Sequence, residues 1–276
     1  MAAAPRPPRP RSGWVNCKSS WLTAAKRRRL DSLLVGRGLA DTLDQARRLI
    51  GSGVVLVDSR IADKAGSLVA DNCALTVRGG KRFVSRGGEK LEAGLLGLQV
   101  DPTGWICADI GCSTGGFTDC LLQHGAARVY SVDVGYGLLD WKMRQDPRVV
   151  VLERTNARYL TREQIPESLD LAVIDASFIS LAMLLPPLLP LFQSSVRILA
   201  LVKPQFQLPR DMVGPGGIVE DEALHRLALT MVQSYGQHLG LGCVGVVASP
   251  IQGRKGNQEF LMLLTGPASR NPEPIC

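Results

Sequence analysis

Residues 105–124 read WICADIGCSTGGFTDCLLQH, a short apolar run followed by a loop of small residues and then a helical segment. A glycine-rich loop at the carboxyl end of a strand lets a ligand approach the backbone closely. The helix that follows such a loop begins with N–H groups that have no partner within the helix. The stretch therefore predicts an α/β domain with a ligand site at this loop.

Further apolar runs that follow this stretch bring the number of predicted strands to seven. We expect strands near 105–110, 128–133, 148–152, 170–174, 196–203, 242–248 and 258–264, and larger helices near 116–124, 177–192 and 219–239. Strands that alternate with helices indicate a doubly wound α/β domain with a mainly parallel, Rossmann-like sheet. The last two runs are expected to form a hairpin-like pair, with the final strand antiparallel.

The loop has the spacing Gly111-x-Ser113-x-Gly115-Gly116, which departs from the GxGxxG fingerprint of dinucleotide-binding proteins. Asp133 follows 22 positions after Gly111, where a strand-end carboxylate can accept both ribose hydroxyls of a nucleoside cofactor. NAD and S-adenosylmethionine both fit that role, so an NAD-dependent oxidoreductase remains an alternative at this point. Asn156 follows the third strand and is a candidate for the adenine side.

Charge is divided unevenly along the chain. Residues 1–90 contain 18 Lys and Arg and 7 Asp and Glu, a net +11, whereas residues 91–276 contain 14 and 18, a net −4. A basic module beside a slightly acidic one suits a polyanion-binding arm, because Lys and Arg neutralise phosphates and release counterions. A solvated basic surface would carry the same charge.

The basic part has its own pattern of short elements. The runs LDSLLVGRGLA (30–40) and TLDQARRLIGSG (42–53) predict two helices, the second capped by Thr42 or Asp41, and short β-like runs follow them. Basic side chains are expected to share one face as candidate phosphate contacts. They are Arg27, Arg28, Arg29, Arg47 and Arg48.

Several classes of protein are disfavoured. The seven cysteines form no CxxC pair, so we expect free thiols in a reducing compartment and no metal site. The Pro- and Arg-rich N-terminus lacks the apolar core of a signal peptide. The longest apolar stretch, 181–192, carries three prolines and is too short to span a bilayer. We therefore expect a cytoplasmic protein without a membrane partner.

Two sets of motifs resemble known families. Arg29-Leu30-Asp31, the pattern QARRLIxxGxVxV at 45–57 and Ala65-Gly66 resemble the alpha-L RNA-binding motif of a small-subunit ribosomal protein. A longer series resembles the TlyA family over about residues 29–265. Its members here are SRGGEKL (85–91), DIGCSTGGFTD (109–119), VDVGYGLLDWKMR (132–144), TNAR (155–158), DASFISL (175–181), LVKPQF (201–206), GPGGIV (214–219) and SPIQGRKGNQEF (249–260).

The resemblance implies an rRNA 2′-O-methyltransferase, of a family historically also called hemolysins, that uses S-adenosylmethionine on rRNA or ribosomal subunits, with cytidine ribose as the target. It implies an RNA-binding domain (26–79) and an FtsJ-like methyltransferase domain (80–267). Composition, and not the resemblance, predicts a disordered basic and Pro-rich extension at 1–25, and a C-terminal tail is expected at 268–276. The candidate cofactor contacts are the loop residues and their neighbours. They are Asp109, Gly111, Ser113, Gly115, Gly116, Phe117, Asp133 and Asn156.

The resemblance also implies a catalytic Lys-Asp-Lys-Glu tetrad, which falls here on Lys90, Asp175, Lys203 and Glu259. The expected strand ends support this grouping, because ligands bind at the carboxyl edge of an open α/β sheet. A free lysine titrates near about 10.4, so a basic Lys203 needs desolvation or a neighbouring cation, for which Lys90 is a candidate. Whether Lys203 removes the proton or steers the hydroxyl stays open.

Two features depart from the family pattern. Gln207 and Leu208 follow LVKPQF where an acidic residue is expected, and the first 25 residues have no family counterpart. Two functions outside methyl transfer and oxidoreduction also stay open. One is a noncatalytic RNA-binding or ribosome-assembly factor, and the other is a membrane-lysing protein, which the absence of a strongly apolar amphipathic helix disfavours.

Overall fold

The computed structural model describes residues 27–40, 42–78, 82–253 and 255–268. The chain divides into two compact units, residues 1–80 and 81–276. The extension expected at 1–25 and all of the tail except Ala268 lie outside the described residues. The domain limits given above stay predictions.

The first unit consists of two helices and short strands, as the sequence predicted. Its helices are α1 (Leu30–Gly36) and α2 (Leu43–Gly51), and its strands are β1 (Arg27–Arg29), β2 (Val55–Val57), β3 (Arg60–Ile61), β4 (Leu68–Ala70) and β5 (Leu75–Val77). Strand β1 pairs with β4, and the other three form an antiparallel sheet in the order β3-β2-β5. The side chain of Thr42 caps α2 by accepting a hydrogen bond from the Gln45 amide.

A small apolar core holds these elements together. Leu30 and Leu34 of α1 pack against Ala46 and Ile50 of α2, and all four are buried. The polar faces of both helices stay outside, which leaves the arginines of α2 exposed. The Arg27–Arg29 run was expected only as a basic flank, and the structure makes it a strand.

The second unit is built on one large sheet. Its strands are β6 (Ile106–Ile110), β7 (Arg128–Val132), β8 (Val149–Leu152), β9 (Leu171–Ile174), β10 (Ser195–Val202), β11 (Gly242–Ala248) and β12 (Phe260–Pro267). Its helices are α3 (Gly87–Gly97), α4 (Gly116–Gln123), α5 (Trp141–Gln145), α6 (Leu185–Leu188), α7 (Pro204–Gln207) and α8 (Glu222–His238).

The sheet has the order β11-β12-β10-β9-β6-β7-β8. Strands β6 to β10 are parallel to their neighbours within that group, and β12 runs antiparallel to both β10 and β11. The predicted fold class, the seven strands and the antiparallel end are therefore confirmed. The strand order reverses between β9 and β6, and open sheets of this kind bind ligands at the carboxyl ends beside such a reversal.

The predicted helix at 177–192 is wrong. The structure has instead the single turn α6 between two 3₁₀ turns, 181–183 and 189–191. Pro186, Pro187 and Pro190 explain the difference, because each proline lacks the N–H that a continuing helix needs. The helix expected at 219–239 begins at Glu222, after an N-cap at Asp221 whose side chain accepts from the Ala223 amide.

Apolar side chains cover both faces of the sheet. One layer includes Leu185 and Val232, and the other includes Leu91, Leu121 and Leu261. The described cysteines are free, and four of them are buried: Cys73 in the first unit, and Cys107, Cys112 and Cys120 in the second. Rigid packing on both faces fixes the strands and so the loops at their ends.

Candidate active site

The loops at the carboxyl ends of β6, β7, β8, β9 and β10 surround a cleft with a volume of about 1010 Å³. A smaller pocket of about 160 Å³ lies under the glycine loop. Lys90, Gly111, Ser113 and Asp175 line both spaces. Each predicted cofactor or catalytic residue other than Gly115 lines at least one of the two.

The glycine loop has the backbone that its residue types predict. Gly111 has φ +84°, and a Cβ there would lie 3.0 Å from the Asp175 carbonyl oxygen. Gly115, the residue before α4, has φ +91°, and its Cβ would lie 2.7 Å from a Leu139 methyl carbon. Only glycine adopts such angles readily. The loop can therefore pass close to Asp175 and start α4 without a side chain in the pocket.

Asp109 is the last polar residue of β6 and is fully buried. Its Oδ2 accepts a hydrogen bond of 2.7 Å from the Thr118 hydroxyl, while Oδ1 is buried without a partner among the described residues. Burial raises the pKa of this carboxyl from the usual 3.8 to about 7. A buried acceptor left in this state at a pocket wall suits a ligand that brings a donor or a positive charge.

Asp133 and Asn156 both line the cleft, as expected from their strand-end positions. Asp133 Oδ2 accepts from the Ser113 amide at 2.8 Å, and Oδ1 accepts from the Gly135 amide at 2.7 Å. Each carboxylate oxygen keeps a further lone pair for a ligand hydroxyl. Asn156 accepts from the Arg158 amide and so caps the following 3₁₀ turn.

Phe117 is buried under the loop and lines the smaller pocket. Its ring lies 3.4 Å from where a Cβ on Gly87 would stand, so it packs α4 against the start of α3. Ser85 and Arg86, which the sequence reasoning did not select, line the same pocket. Their SRGG motif was visible, but no residue spacing related it to the glycine loop.

The four tetrad residues meet in the cleft as two ion pairs. Lys203 Nζ lies 2.7 Å from Asp175 Oδ1, and Lys90 Nζ lies 2.5 Å from Glu259 Oε2. Lys203, Lys90 and Glu259 are mostly buried, and the side chain of Asp175 is 26% exposed. The structure thus joins residues from α3, from the ends of β9 and β10, and from the start of β12.

Three residues that the sequence reasoning missed line the cleft together with Lys203. The Ser177 hydroxyl accepts a hydrogen bond from its ammonium at 2.9 Å. Phe178 is 90% exposed at φ +64°, and its ring centroid lies 5.1 Å from that of Phe206. A bulky residue with positive φ is uncommon and marks strain that clusters at functional sites. The exposed ring could not be foreseen, because a phenylalanine in this mixed stretch of polar and apolar residues can as well be buried.

Gln207, which departs from the family pattern, is buried. Its side-chain oxygen accepts from the Ser180 hydroxyl and from the Leu181 amide. The residue therefore ties the loop after β10 to the turn after β9. An uncharged amide suits this buried position better than a carboxylate would.

The predicted RNA-contacting arginines all lie in the first unit and are exposed. Arg29 and Arg47 approach the carboxylate of Asp31, and Arg28 lies 3.5 Å from Asp71. Arg27 lies on the same strand as Arg28, and Arg48 follows Arg47 on α2. A solvent-facing basic surface of this kind suits phosphate contacts.

The described residues contain neither a metal centre nor a membrane-spanning helix. No group of three or more His, Cys, Asp or Glu side chains in that part of the chain could hold a metal ion. No helix in the same residues is both long and apolar enough to cross a bilayer.

Known protein families match both units. Residues 83–265 match the FtsJ-like methyltransferase model, and residues 28–72 match the S4 domain model. The fold and the cleft thus define a Rossmann-like methyltransferase class with an added RNA-binding module.

Relatives that match most of the chain give the narrower assignment. The 16S/23S rRNA (cytidine-2′-O)-methyltransferase TlyA of Mycobacterium tuberculosis is 48% identical over 242 residues, which cover 87% of this chain and 90% of the relative. Hemolysin A of Brachyspira hyodysenteriae is 36% identical, with 84% and 98% covered. A solved structure from Streptococcus thermophilus, described as a proposed hemolysin, is 41% identical with a TM-score of 0.67, covering 88% and 90%. This chain belongs to the TlyA family of FtsJ-like methyltransferases.

Proposed function

We propose that this protein transfers a methyl group from S-adenosylmethionine to a ribose 2′-hydroxyl of ribosomal RNA, with cytidine as the target nucleoside. The observation that carries the proposal is the meeting of Lys90, Asp175, Lys203 and Glu259 beside the glycine loop. The named activity of the Mycobacterium tuberculosis relative supports it. Because ribosomal RNA is the substrate, the cytoplasm is the proposed location.

The residues present fit the cofactor. Asp133 would accept the ribose hydroxyls, and Asn156 would lie on the adenine side of the cleft. The free oxygen of Asp109 and the open glycine loop suit the amino-acid end of the molecule. When bound, S-adenosylmethionine supplies an electrophilic methyl group on a sulfonium. The spacing of the loop disfavours NAD.

Lys203 would contact the attacking 2′-oxygen. Two of its N–H bonds point to Asp175 and Ser177, so the third remains for the substrate. As the new carbon–oxygen bond forms, the bond from the methyl carbon to sulfur breaks and its electron pair stays on sulfur. The hydroxyl proton passes to a base, for which the Asp175 carboxylate and solvent are the candidates. A fixed ammonium–carboxylate pair in a shielded cleft can orient that hydroxyl and stabilise the charge that develops on its oxygen.

Lys90 and Glu259 would support this centre from another wall of the cleft. Both are mostly buried, and Gly253 lies so close that a Cβ there would meet the Glu259 carboxylate at 2.5 Å. The structure thus gives Lys90 its own counter-ion. The predicted role of Lys90 as the cation acting on Lys203 stays a prediction, and balance of charge is the role that these contacts favour.

The exposed Phe178 ring offers a platform for the base of the target nucleotide. A single-stranded or extruded base stacks readily on an aromatic side chain, and Phe178 lines the same cleft as Lys203. The first unit would add phosphate contacts through its five candidate arginines. The proposed target is therefore a nucleotide that can leave its helix.

One experiment tests the proposal directly. Ribosomal RNA and intact subunits would be incubated with the protein and labelled S-adenosylmethionine, and 2′-O-methylation would be mapped by mass spectrometry. We expect label at one or a few riboses. Binding of RNA without any methyl transfer would favour the noncatalytic assembly factor. If no methyl transfer is found, a separate assay with lipid vesicles tests the lytic alternative, which lysis would favour.

A further inference from the structure

Asp31 is an acidic side chain on α1, and it is buried although it carries charge. Its Oδ1 accepts from Arg29 Nε at 3.0 Å and from the Ser32 amide at 2.8 Å, and its Oδ2 accepts from Arg29 Nη2 at 2.7 Å. The Arg29 guanidinium, bound along one edge, holds the pKa of this carboxyl down at about 2. Asp31 is therefore ionised at any pH at which the protein works.

A second arginine approaches the same carboxylate from α2. Arg47 Nε lies 3.6 Å from Asp31 Oδ2, and Arg47 Nη1 donates to Asp44 at 3.3 Å. Asp31 is thus a buried anion between two arginines that come from different elements. Both arginine side chains are 53% exposed, while the Asp31 side chain is 1% exposed.

The outer edges of these guanidinium groups stay available. Within the described part of the chain, no acceptor lies at Arg29 Nη1 or at Arg47 Nη2. Gly66 lies beside the Arg29 group, where a Cβ would come 3.4 Å from Nη1, so the missing side chain keeps this edge open. Guanidinium edges held in a fixed direction match the oxygens of a phosphate.

We propose that Asp31 is a positioning residue that fixes Arg29 and Arg47 as a two-pronged clamp for an RNA backbone phosphate. The inference rests on the RNA-binding part of the proposed function and adds to it a role for a negatively charged residue. The expected change in RNA affinity on removal of Asp31 is opposite to the change that simple electrostatics predicts. Removing a negative charge from a basic surface ordinarily strengthens RNA binding, whereas loss of this carboxylate frees both arginines and weakens it.

The test compares Asp31→Asn with Asp44→Asn in the full-length protein. Each substitution removes one negative charge next to Arg47, but only Asp31 is buried and shared. Binding of a fluorescein-labelled RNA hairpin would be measured by anisotropy over a salt series. Loss of one arginine–phosphate interaction should lower the affinity roughly fivefold at about 0.15 M salt and reduce the salt slope by about 0.7 to 0.9.

We expect Asp31→Asn to bind the hairpin roughly fivefold or more weakly, and Asp44→Asn to bind it as well as the parent or better. Equal or tighter binding by a folded Asp31→Asn protein would overturn the inference. Affinity for S-adenosylmethionine should be the same in both variants. A parent protein that transfers no methyl group would refute the proposed reaction, yet the two RNA affinities would still decide the role of Asp31.

A second pair keeps the inference testable if Asp31→Asn fails to fold, as a melting curve would show. Arg29→Lys preserves the charge but loses the planar guanidinium, which can bind the Asp31 carboxylate along one edge and a phosphate along another. Arg60→Lys is the matched control, because Arg60 is an exposed arginine on β3 of the same unit. We expect weaker hairpin binding only for Arg29→Lys, and equal affinities for the two variants would overturn the clamp.

Discussion

Replacement of Asp109 by Asn should change how the stability of the protein depends on pH. Asp109 is fully buried, and its pKa of about 7 lies above the 3.8 expected in the unfolded chain. Between these two values the unfolded state has lost the proton that the folded state still holds. The free energy of unfolding therefore falls as the pH rises through this window, and it levels off above about 7.

The magnitude follows from the two pKa values. Since one pKa unit corresponds to about 1.4 kcal/mol, the full window from 3.8 to about 7 represents about 4 kcal/mol. Between about pH 5 and 7 the free energy of unfolding is expected to fall by about 2 kcal/mol. In this range the carboxyl of the unfolded chain is already ionised, while that of the folded protein still holds most of its proton. Asn cannot ionise, so the variant should lack this fall, and its stability relative to the parent should increase with pH.

Urea unfolding of both proteins without cofactor, at several pH values, measures the effect. The difference between parent and variant cancels the contribution of the histidines that both contain. Asp101→Asn is the matched control, because hydrogen bonds from Thr103 lower the pKa of this exposed carboxyl and it stays ionised over the same range. A parent-minus-variant difference that does not change with pH for Asp109→Asn would refute the reasoning.

Three other predictions concern the cleft. Gly111→Ala should weaken S-adenosylmethionine binding at least about tenfold, because its Cβ would press on the Asp175 carbonyl and alanine disfavours the positive φ. Calorimetry measures the affinity, and an unchanged value would contradict the role of the loop. Asp133→Asn should weaken the same binding but leave the fold intact, because the asparagine side chain occupies the same space as the aspartate. Full affinity in this variant would show that Asp133 does not contact the ribose. Lys203→Ala should lower the single-turnover methylation rate about 100-fold or more, while the affinity for the cofactor is retained. Lys142→Ala is the control, because the Lys142 side chain is exposed. A near-normal rate in Lys203→Ala would exclude Lys203 from the reaction.

The sequence predicted those parts of the site that depend on where the strands end. Parallel strands end at one edge, so Asp133, Asp175 and Lys203 were expected at the same edge of the sheet once the strands were assigned. The glycine loop was predictable from local pattern, because its small residues stand between an apolar run and a helical segment. Local pattern and topology together were enough for these residues.

The remaining contacts depend on side-chain directions that no pattern encodes. The pairing of Lys90 with Glu259, and of Lys203 with Ser177 as well as Asp175, is set by how α3 and the loop after β9 pack. The helix expected at 177–192 took no account of the three prolines in that range, which end it in the structure. Phe178 could not be singled out, because an exposed aromatic and a buried one look alike in a sequence.

The ion pair between Lys90 and Glu259 joins residues that stand 169 positions apart. One belongs to the first helix of the second unit, and the other precedes its last strand. Bringing such distant residues together costs conformational entropy, because a long loop must close before they meet. During synthesis, β12 completes the sheet, and Glu259 just before it completes the proposed catalytic centre. On the proposed mechanism, a chain that is still growing on the ribosome has no complete centre for methyl transfer until Glu259 has been added.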